Sequence, residues 1–528
     1  MSEENKFVVP RYFLLNGRRP DARRRSFLCT VGLCTALAVF AKVDPVRAAS
    51  CESLRGVRLP NTTIASAQVI SSGTLAPAAP TGSSQANPPL TNLPPFCRIA
   101  ATLTPTSDSD IKIEVWLPAT NWNGKFQAVG NGGWAGTLSY LAMQAALQEG
   151  YATASTNTGH EGANAEFALG HPEKVIDFAY RAVHETTVAS KAIISAFYGQ
   201  PARLSYWNGC STGGRQGLME AQRYSDDFDG IIAGAPDYYS THLQASHIAE
   251  GVATLKDPAG FLSPAKYSLL NKAVLALCDG RDGLADGLLA DPRACTFDPA
   301  ALLCRGGDAE GCLTGPQVEA AKKIYGSAKK KNGEVVFPGL EPGSELAWGP
   351  VTAGPTPFGI AMWMFRFVHN DPNWDWQTFD LDRDTQLADE KAGLINAIQT
   401  NLAAFKARGG KLLLYHGWSD HLIAPQNTVN YYSNVLATMG PLQDDWLRLF
   451  MAPGMQHCRG GPGPDQMNLV GAMERWRESG VAPSEIATYH VDNNRVDMTR
   501  PLCPYPQVAH YGGVGSTHDA KNFSCKAP

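Results

Sequence analysis

Gly209-Cys210-Ser211-Thr212-Gly213 is flanked by a strand-like run, Arg203 to Asn208, and a helical run, Gln216 to Tyr224. A turn this short lifts the serine hydroxyl clear of a sheet, and its glycines let neighbouring backbone pass close by. The segment therefore demands a buried strand that feeds directly into a helix. The rest of the chain agrees. Ile111 to Leu117 alternates like a half-buried strand, Phe126 to Val129 reads as another, and residues 178–198 carry a helical pattern. Ile231-Ile232-Ala233, Lys411 to Tyr415 and Leu447 to Met451 read as strands, with helices over Pro425 to Thr438 and Met467 to Arg477. Alternating strands and helices predict an α/β fold with a mostly parallel sheet covered on both faces.

From about residue 240 to 395 that rhythm breaks into cysteine pairs, Asp/Gly clusters and aromatics. At 528 residues the chain exceeds what one core usually holds, so this stretch is expected to be an inserted lid. The expected organisation is a signal peptide over 1–49, core over 50–240, lid over 241–395 and core again over 396–528. A Pro/Ser/Ala-rich stretch, residues 72–96, precedes the regular part.

Residues 1–49 read as an address. Arg23, Arg24 and Arg25 precede Ser26-Phe27-Leu28, an apolar run reaches about Ala41, and small residues follow at Ala48-Ala49-Ser50. This is a signal peptide of twin-arginine type. The apolar run is short for a membrane span, so no stable membrane insertion is expected after its removal. Leu33 is bulky for a lipid-attachment site at Cys34. Of twelve cysteines, Cys29 and Cys34 would leave with the signal. The even remainder implies disulfides in a periplasmic or secreted protein, with Cys278–Cys295, Cys304–Cys312 and Cys503–Cys525 as near-neighbour pairs. A net charge of -4 with mixed signs offers no field for nucleic acid.

Ser211 needs a base to act as a nucleophile. In this fold class the acid and then the histidine follow the serine in chain order. Asp420 comes just after the apolar strand 411–415, in His416-Gly417-Trp418-Ser419-Asp420, and His457 follows the next strand, in Gly454-Met455-Gln456-His457-Cys458. His416 and His421 lie too close to Asp420 to suit that order and read as structural. Cys210 precedes the candidate nucleophile and Cys458 follows the candidate base, so a bridge between them would hold Ser211 beside His457. An oxyanion needs N–H donors. Thr212 is one, and Gly132 or Gly133, in the loop Val129 to Trp134, is the other.

Cys278-Asp279-Gly280-Arg281-Asp282-Gly283-Leu284-Ala285-Asp286-Gly287-Leu288 gathers three carboxylates on a turning loop, which suits calcium or a plain surface turn. Without histidine partners it does not read as a catalytic zinc centre. Trp363, Phe365, Arg366, Phe367, Trp374 and Trp376 make the lid aromatic. Of these, Trp363, Phe365 and Arg366 are candidate substrate contacts, Arg366 for a carboxylate.

The segments G-C-S-T-G-G, H-G-W-S-D and G-M-Q-H-C together resemble the tannase and feruloyl esterase family, which also contains the hydrolase of mono-hydroxyethyl terephthalate. The resemblance spans nearly all of the mature chain. It implies an α/β-hydrolase core with a lid, a Cys210–Cys458 bridge, a Cys51–Cys97 bridge and the three near-neighbour pairs. It further implies a structural calcium in the lid, held by the side chains of Asp279, Asp282 and Asp286 and the main-chain oxygens of Leu284 and Leu288. The implied activity is hydrolysis of small aromatic esters through an acyl-serine, with no catalytic cofactor. Ferulate esters are favoured over gallate esters, with terephthalate monoesters third. The segment Asp371 to Trp376 is closer to the feruloyl esterase and tannase members. A binding protein that kept the fold is the contrasting reading, and a full Ser/Asp/His set argues against it.

Overall fold

The computed structural model describes residues 49–77 and 88–528. The predicted signal segment lies outside the described residues except for Ala49.

Nine strands form the central sheet: β1 (Thr62–Ile70), β2 (Phe96–Leu103), β3 (Ile111–Pro118), β4 (Lys125–Val129), β5 (Ala152–Thr156), β6 (Leu204–Cys210), β7 (Gly230–Gly234), β8 (Lys411–Gly417) and β9 (Leu447–Ala452). Their spatial order is β1-β2-β3-β5-β4-β6-β7-β8-β9. Pairings from β1 through β3 to β5 are antiparallel. All those from β5 to β9 are parallel. Parallel pairs need crossovers, and helices supply them: α1 (Tyr140–Gln148), α2 (Ala182–Tyr198), α3 (Thr212–Arg223) and α8 (Gln426–Met439), while α9 (Leu469–Ser479) follows the last strand.

The strand period of two assigns each residue a face. Trp207, Ile231, Leu412 and Leu414 pack with α2, α3 and α8. Their neighbours Tyr206, Ile232, Leu413 and Tyr415 pack with α9 on the other face. The sheet is thus covered on both sides, as expected of an α/β-hydrolase core. Edge strand β1 was not expected, and it lies next to the Pro/Ser/Ala-rich stretch. The C-terminal segment also adds a hairpin, Ile486–Asp492 with Arg495–Leu502, that sequence periodicity did not announce.

Between β7 and β8 the chain adds no strand to the large sheet. The stretch that seemed to lack a repeat is in fact rich in helices, among them α4 (Ser240–Leu255), α5 (Pro264–Cys278), α6 (Gly359–His369) and α7 (Leu381–Ala392). Their period was faint for a physical reason. In α4 the polar residues Gln244, His247 and Glu250 are buried along with Leu243 and Ile248. A helix enclosed on several sides loses the polar stripe that marks it in a sequence. All five expected disulfides form: Cys51–Cys97, Cys210–Cys458, Cys278–Cys295, Cys304–Cys312 and Cys503–Cys525.

Candidate active site

Strand β6 ends at Cys210, and α3 starts at Thr212, four residues earlier than its periodicity suggested. Ser211 makes the whole turn, with φ 64° and ψ -125°. A non-glycine residue held there costs on the order of 1–3 kcal/mol, which the surroundings must offset. Three backbone bonds clamp it. Its N–H donates to the Gly234 carbonyl at 2.9 Å, while its own carbonyl accepts from Arg215 N–H at 3.0 Å and Asp237 N–H at 3.3 Å. The glycines are there for close approach. A Cβ on Gly209 would lie 2.5 Å from the Gly213 oxygen, and one on Gly214 2.3 Å from the Gly234 oxygen.

Asp420 lies three residues past β8, completely buried. Its Oδ1 accepts the backbone N–H of Leu422 at 2.8 Å and of Ile423 at 3.0 Å. Its Oδ2 accepts from His457 Nδ1 at 2.8 Å and from His416 Nε2 at 2.9 Å. Burial alone would raise this carboxyl. The charge of His457 and the bonds from both histidines outweigh burial and hold it well below the usual carboxylate range. His457 shows the reciprocal effect. Burial opposes its charge, but Asp420, with a smaller contribution from Asp237, raises its imidazole above the ordinary value.

Cys210 and Cys458 are bridged with their Cα atoms 6.0 Å apart, which joins the residue before Ser211 to the residue after His457. Among the described residues, Ser211 Oγ makes no hydrogen bond, so the bridge rather than a direct bond brings serine and histidine together. Such contacts often tighten only when substrate binds.

The loop from Gly130 to Trp134 is pinned to α3. Asn131 N–H donates to Gln216 Oε1 at 3.1 Å, and Thr212 Oγ1 donates to the Gly133 carbonyl at 3.1 Å. A Cβ on Gly132 would meet nothing within 4 Å, whereas Gly133, at φ +52°, faces Ile360 of α6. Among the described residues, the N–H groups of Gly132 and Thr212 have no acceptor.

Sequence reasoning missed Asp237. It is half-buried, its enclosed Oδ1 has no partner among the described residues, and desolvation pushes its carboxyl up to about 7 despite nearby Arg215 and Ser240. Its signal was available, since it is an acid three residues past a buried strand, just as Asp420 is. Arg215 is also wholly buried and donates to the carbonyls of Ala179 and Ile395.

At the expected calcium loop, a cavity of about 20 Å³ is lined by Asp282, Leu284, Asp286 and Leu288, with Arg500 alongside. That volume suits one water-sized body. Burial, then Asp286 and Asp279, raise the Asp282 carboxyl, while Arg500 pairs with Asp286 at 2.8 Å. Asp279 does not line the cavity, and its oxygens accept the N–H groups of Asp286 and Gly287. The residues present fit a hard cation in donor chemistry. His184, Glu220 and Asp227 also bring ligand atoms within 4.8 Å of one another, towards the far end of α3 from Ser211. Burial, then Asp227, raise the Glu220 carboxyl well above its usual range.

The three lid residues separate. Phe365 is 0% exposed, stacked on Trp374 and edge-on to Phe379, so it is a core residue and not a surface for a ligand. Trp363 and Arg366 are half-buried, with the guanidinium 4.7 Å from the centre of the Trp363 ring. Trp363 lies one helical turn from Ile360, the residue against Gly133.

This sheet order and its turn after β6 define an α/β-hydrolase, here a carboxylic ester hydrolase. The chain belongs to the tannase and feruloyl esterase family, which matches residues 97–526. It is 36% identical to an uncharacterized esterase of Xanthomonas campestris pv. campestris over 90% of this chain and 91% of the other. It is 32% identical to a probable feruloyl esterase B-2 of Aspergillus terreus, covering 92% of this chain and 97% of that one. The crystal structure of feruloyl esterase B from Aspergillus oryzae superposes with a TM-score of 0.85 at 32% identity, covering 90% of this chain and 100% of that one.

Proposed function

We propose that this protein is an exported serine esterase that hydrolyses esters of phenolic acids, ferulate ahead of gallate. The observation that carries the mechanism is the 2.8 Å bond from His457 Nδ1 to Asp420, on a loop tethered by Cys458 to the turn bearing Ser211. With Nδ1 so engaged, Nε2 is the ring atom left to take the Ser211 proton. Ser211 Oγ attacks the ester carbonyl, and the N–H groups of Thr212 and Gly132 receive the oxyanion. His457 then protonates the leaving alcohol. A water activated by the same histidine cleaves the acyl-serine.

The aromatic acid is supported by the names of the relatives at 32–36% identity and by Trp363, one helical turn from the Ile360 that faces Gly133. Arg366 Nε has no acceptor among the described residues and would suit an oxygen on the acyl group. Gallate esters and terephthalate monoesters are the competing substrates. Residues 241–395 would act as the lid. Asp279, Asp282 and Asp286, with the carbonyls of Leu284 and Leu288, would hold a calcium ion, which would neutralise their charge and brace the loop. Five disulfides suit an oxidising compartment, in keeping with the signal segment. Among the described residues, no helix is long and apolar enough to cross a membrane.

Rates on methyl ferulate, methyl gallate and mono-hydroxyethyl terephthalate, for the wild type and Ser211→Ala, test the reading. The variant should melt as the wild type does and lose at least ~1000-fold in kcat. Full turnover by it would end the serine mechanism, and a preference for gallate or terephthalate would reassign the substrate.

A further inference from the structure

We infer that His416 is a positioning residue for Asp420, a second imidazole on the carboxylate oxygen that holds His457. The inference rests on the triad reading above and adds a member to it. His416 lies on β8, four residues before Asp420, and is 0% exposed. Its Nε2 faces two atoms that can only accept: Asp420 Oδ2 at 2.9 Å and the Ile423 carbonyl at 3.0 Å. The ring proton must therefore sit on Nε2. Its Nδ1 lies 2.7 Å from the Thr428 hydroxyl, which fixes the ring from behind.

Asp420 is then fully committed. Two backbone N–H groups occupy Oδ1, and two imidazoles meet at Oδ2. The carboxylate cannot rotate without breaking bonds to both oxygens. A second donor at Oδ2 also draws off part of the charge that His457 senses. Without His416, Oδ2 would bear more charge towards His457 and hold its proton more tightly. His457 also feels Asp237, His247 and His421, and none of these touches His416.

The test compares His416→Leu, His416→Gln and Thr428→Val with the wild type, on the full mature protein and one ester substrate. Gln can place an amide N–H near the position of Nε2. His416→Leu should lose ~10–100-fold in kcat, the weight of one hydrogen bond to a charged group, with KM nearly unchanged. The acid limb of its pH profile should move to higher pH, and His416→Gln should restore most of the rate and the limb. A folded His416→Leu with unaltered kcat and acid limb overturns the inference, as does a folded His416→Gln no better than the leucine variant. Should His416→Leu not fold, the other two decide. His416→Gln must keep most of the wild-type rate, and Thr428→Val must move the acid limb upward. Ser211→Ala and Asp420→Asn run alongside. Activity surviving in those two removes the triad itself, whereas their inactivity beside unaffected His416 variants removes only this inference.

Discussion

Asp420 and His457 were legible as single residues because chain order constrains them, but their electrostatics were not. Burial pushes both towards neutrality, and their contact, helped by His416 at Asp420 and by Asp237 at His457, reverses this. Two pH effects follow. In the proposed mechanism catalysis needs unprotonated His457, and its pKa is raised, so the acid limb of kcat/KM should lie above about 6.5, the free imidazole value. In Asp420→Asn only Asp237 still opposes burial, so the limb should fall below the wild-type value while kcat drops ~10⁴-fold. For stability, the depressed Asp420 contributes above its unfolded pKa of about 4 and loses that as pH falls. The raised His457 contributes below about 6.5 and loses it as pH rises through the folded value. The melting-temperature gap between wild type and Asp420→Asn should therefore be widest between about pH 4 and 6.5. A flat gap across that range would refute the pairing.

At the scale of elements, the turn between β6 and α3 shows what periodicity can and cannot see. The motif announced a strand, a turn and a helix, yet the helix begins at Thr212 because Gly213 and Gly214 are helical despite their poor propensity. Close packing is what requires them. Gly214→Ala should destabilise by about 1–3 kcal/mol, since its Cβ would meet backbone of Gly234 and Pro236, which cannot swing away. Gly132→Ala should leave the melting temperature unchanged, because its Cβ enters open space. Denaturant unfolding of both variants checks this, and equal losses would contradict it. Strand β3 was visible because its sequence alternates, although the structure buries all of it but Lys112. Buried α4 was not, nor was edge strand β1.

Across the whole molecule, the Asp loop lies close to the catalytic edge. Leu288 packs on Gly454, three residues before His457, and Arg500 of the C-terminal hairpin pairs with Asp286 at 2.8 Å. A cavity of about 260 Å³ lies between these parts, lined by Leu288, Leu289, Trp418, Ser419 and Gln456. Stripping the cation by exhaustive chelation should lower the melting temperature and depress kcat through the His457 loop, with calcium restoring both. Asp282→Asn should mimic the stripped protein and show little further response to chelator. No thermal shift after verified removal would exclude a bracing role for the ion, and protein found to hold no calcium would exclude the site. The Cys210–Cys458 bridge spans 248 residues and closes the longest loop, so replacing both cysteines by alanine should cost about 2–5 kcal/mol. Thermal melts under non-reducing conditions give that figure.

Local chemistry wrote much of this protein into its sequence: the turn at Ser211, the strand-helix alternation, the order of Asp420 and His457, and the near-neighbour cysteine pairs. These are legible because each depends on few residues, close together or bound by a rule of chain order. Tertiary structure alone decided that His416 and His457 share one oxygen of Asp420, that Asp237 lies half-buried beside Ser211, and that Phe365 belongs to the core. Those outcomes depend on which side chains meet after distant segments pack, and neither periodicity nor spacing carries that information.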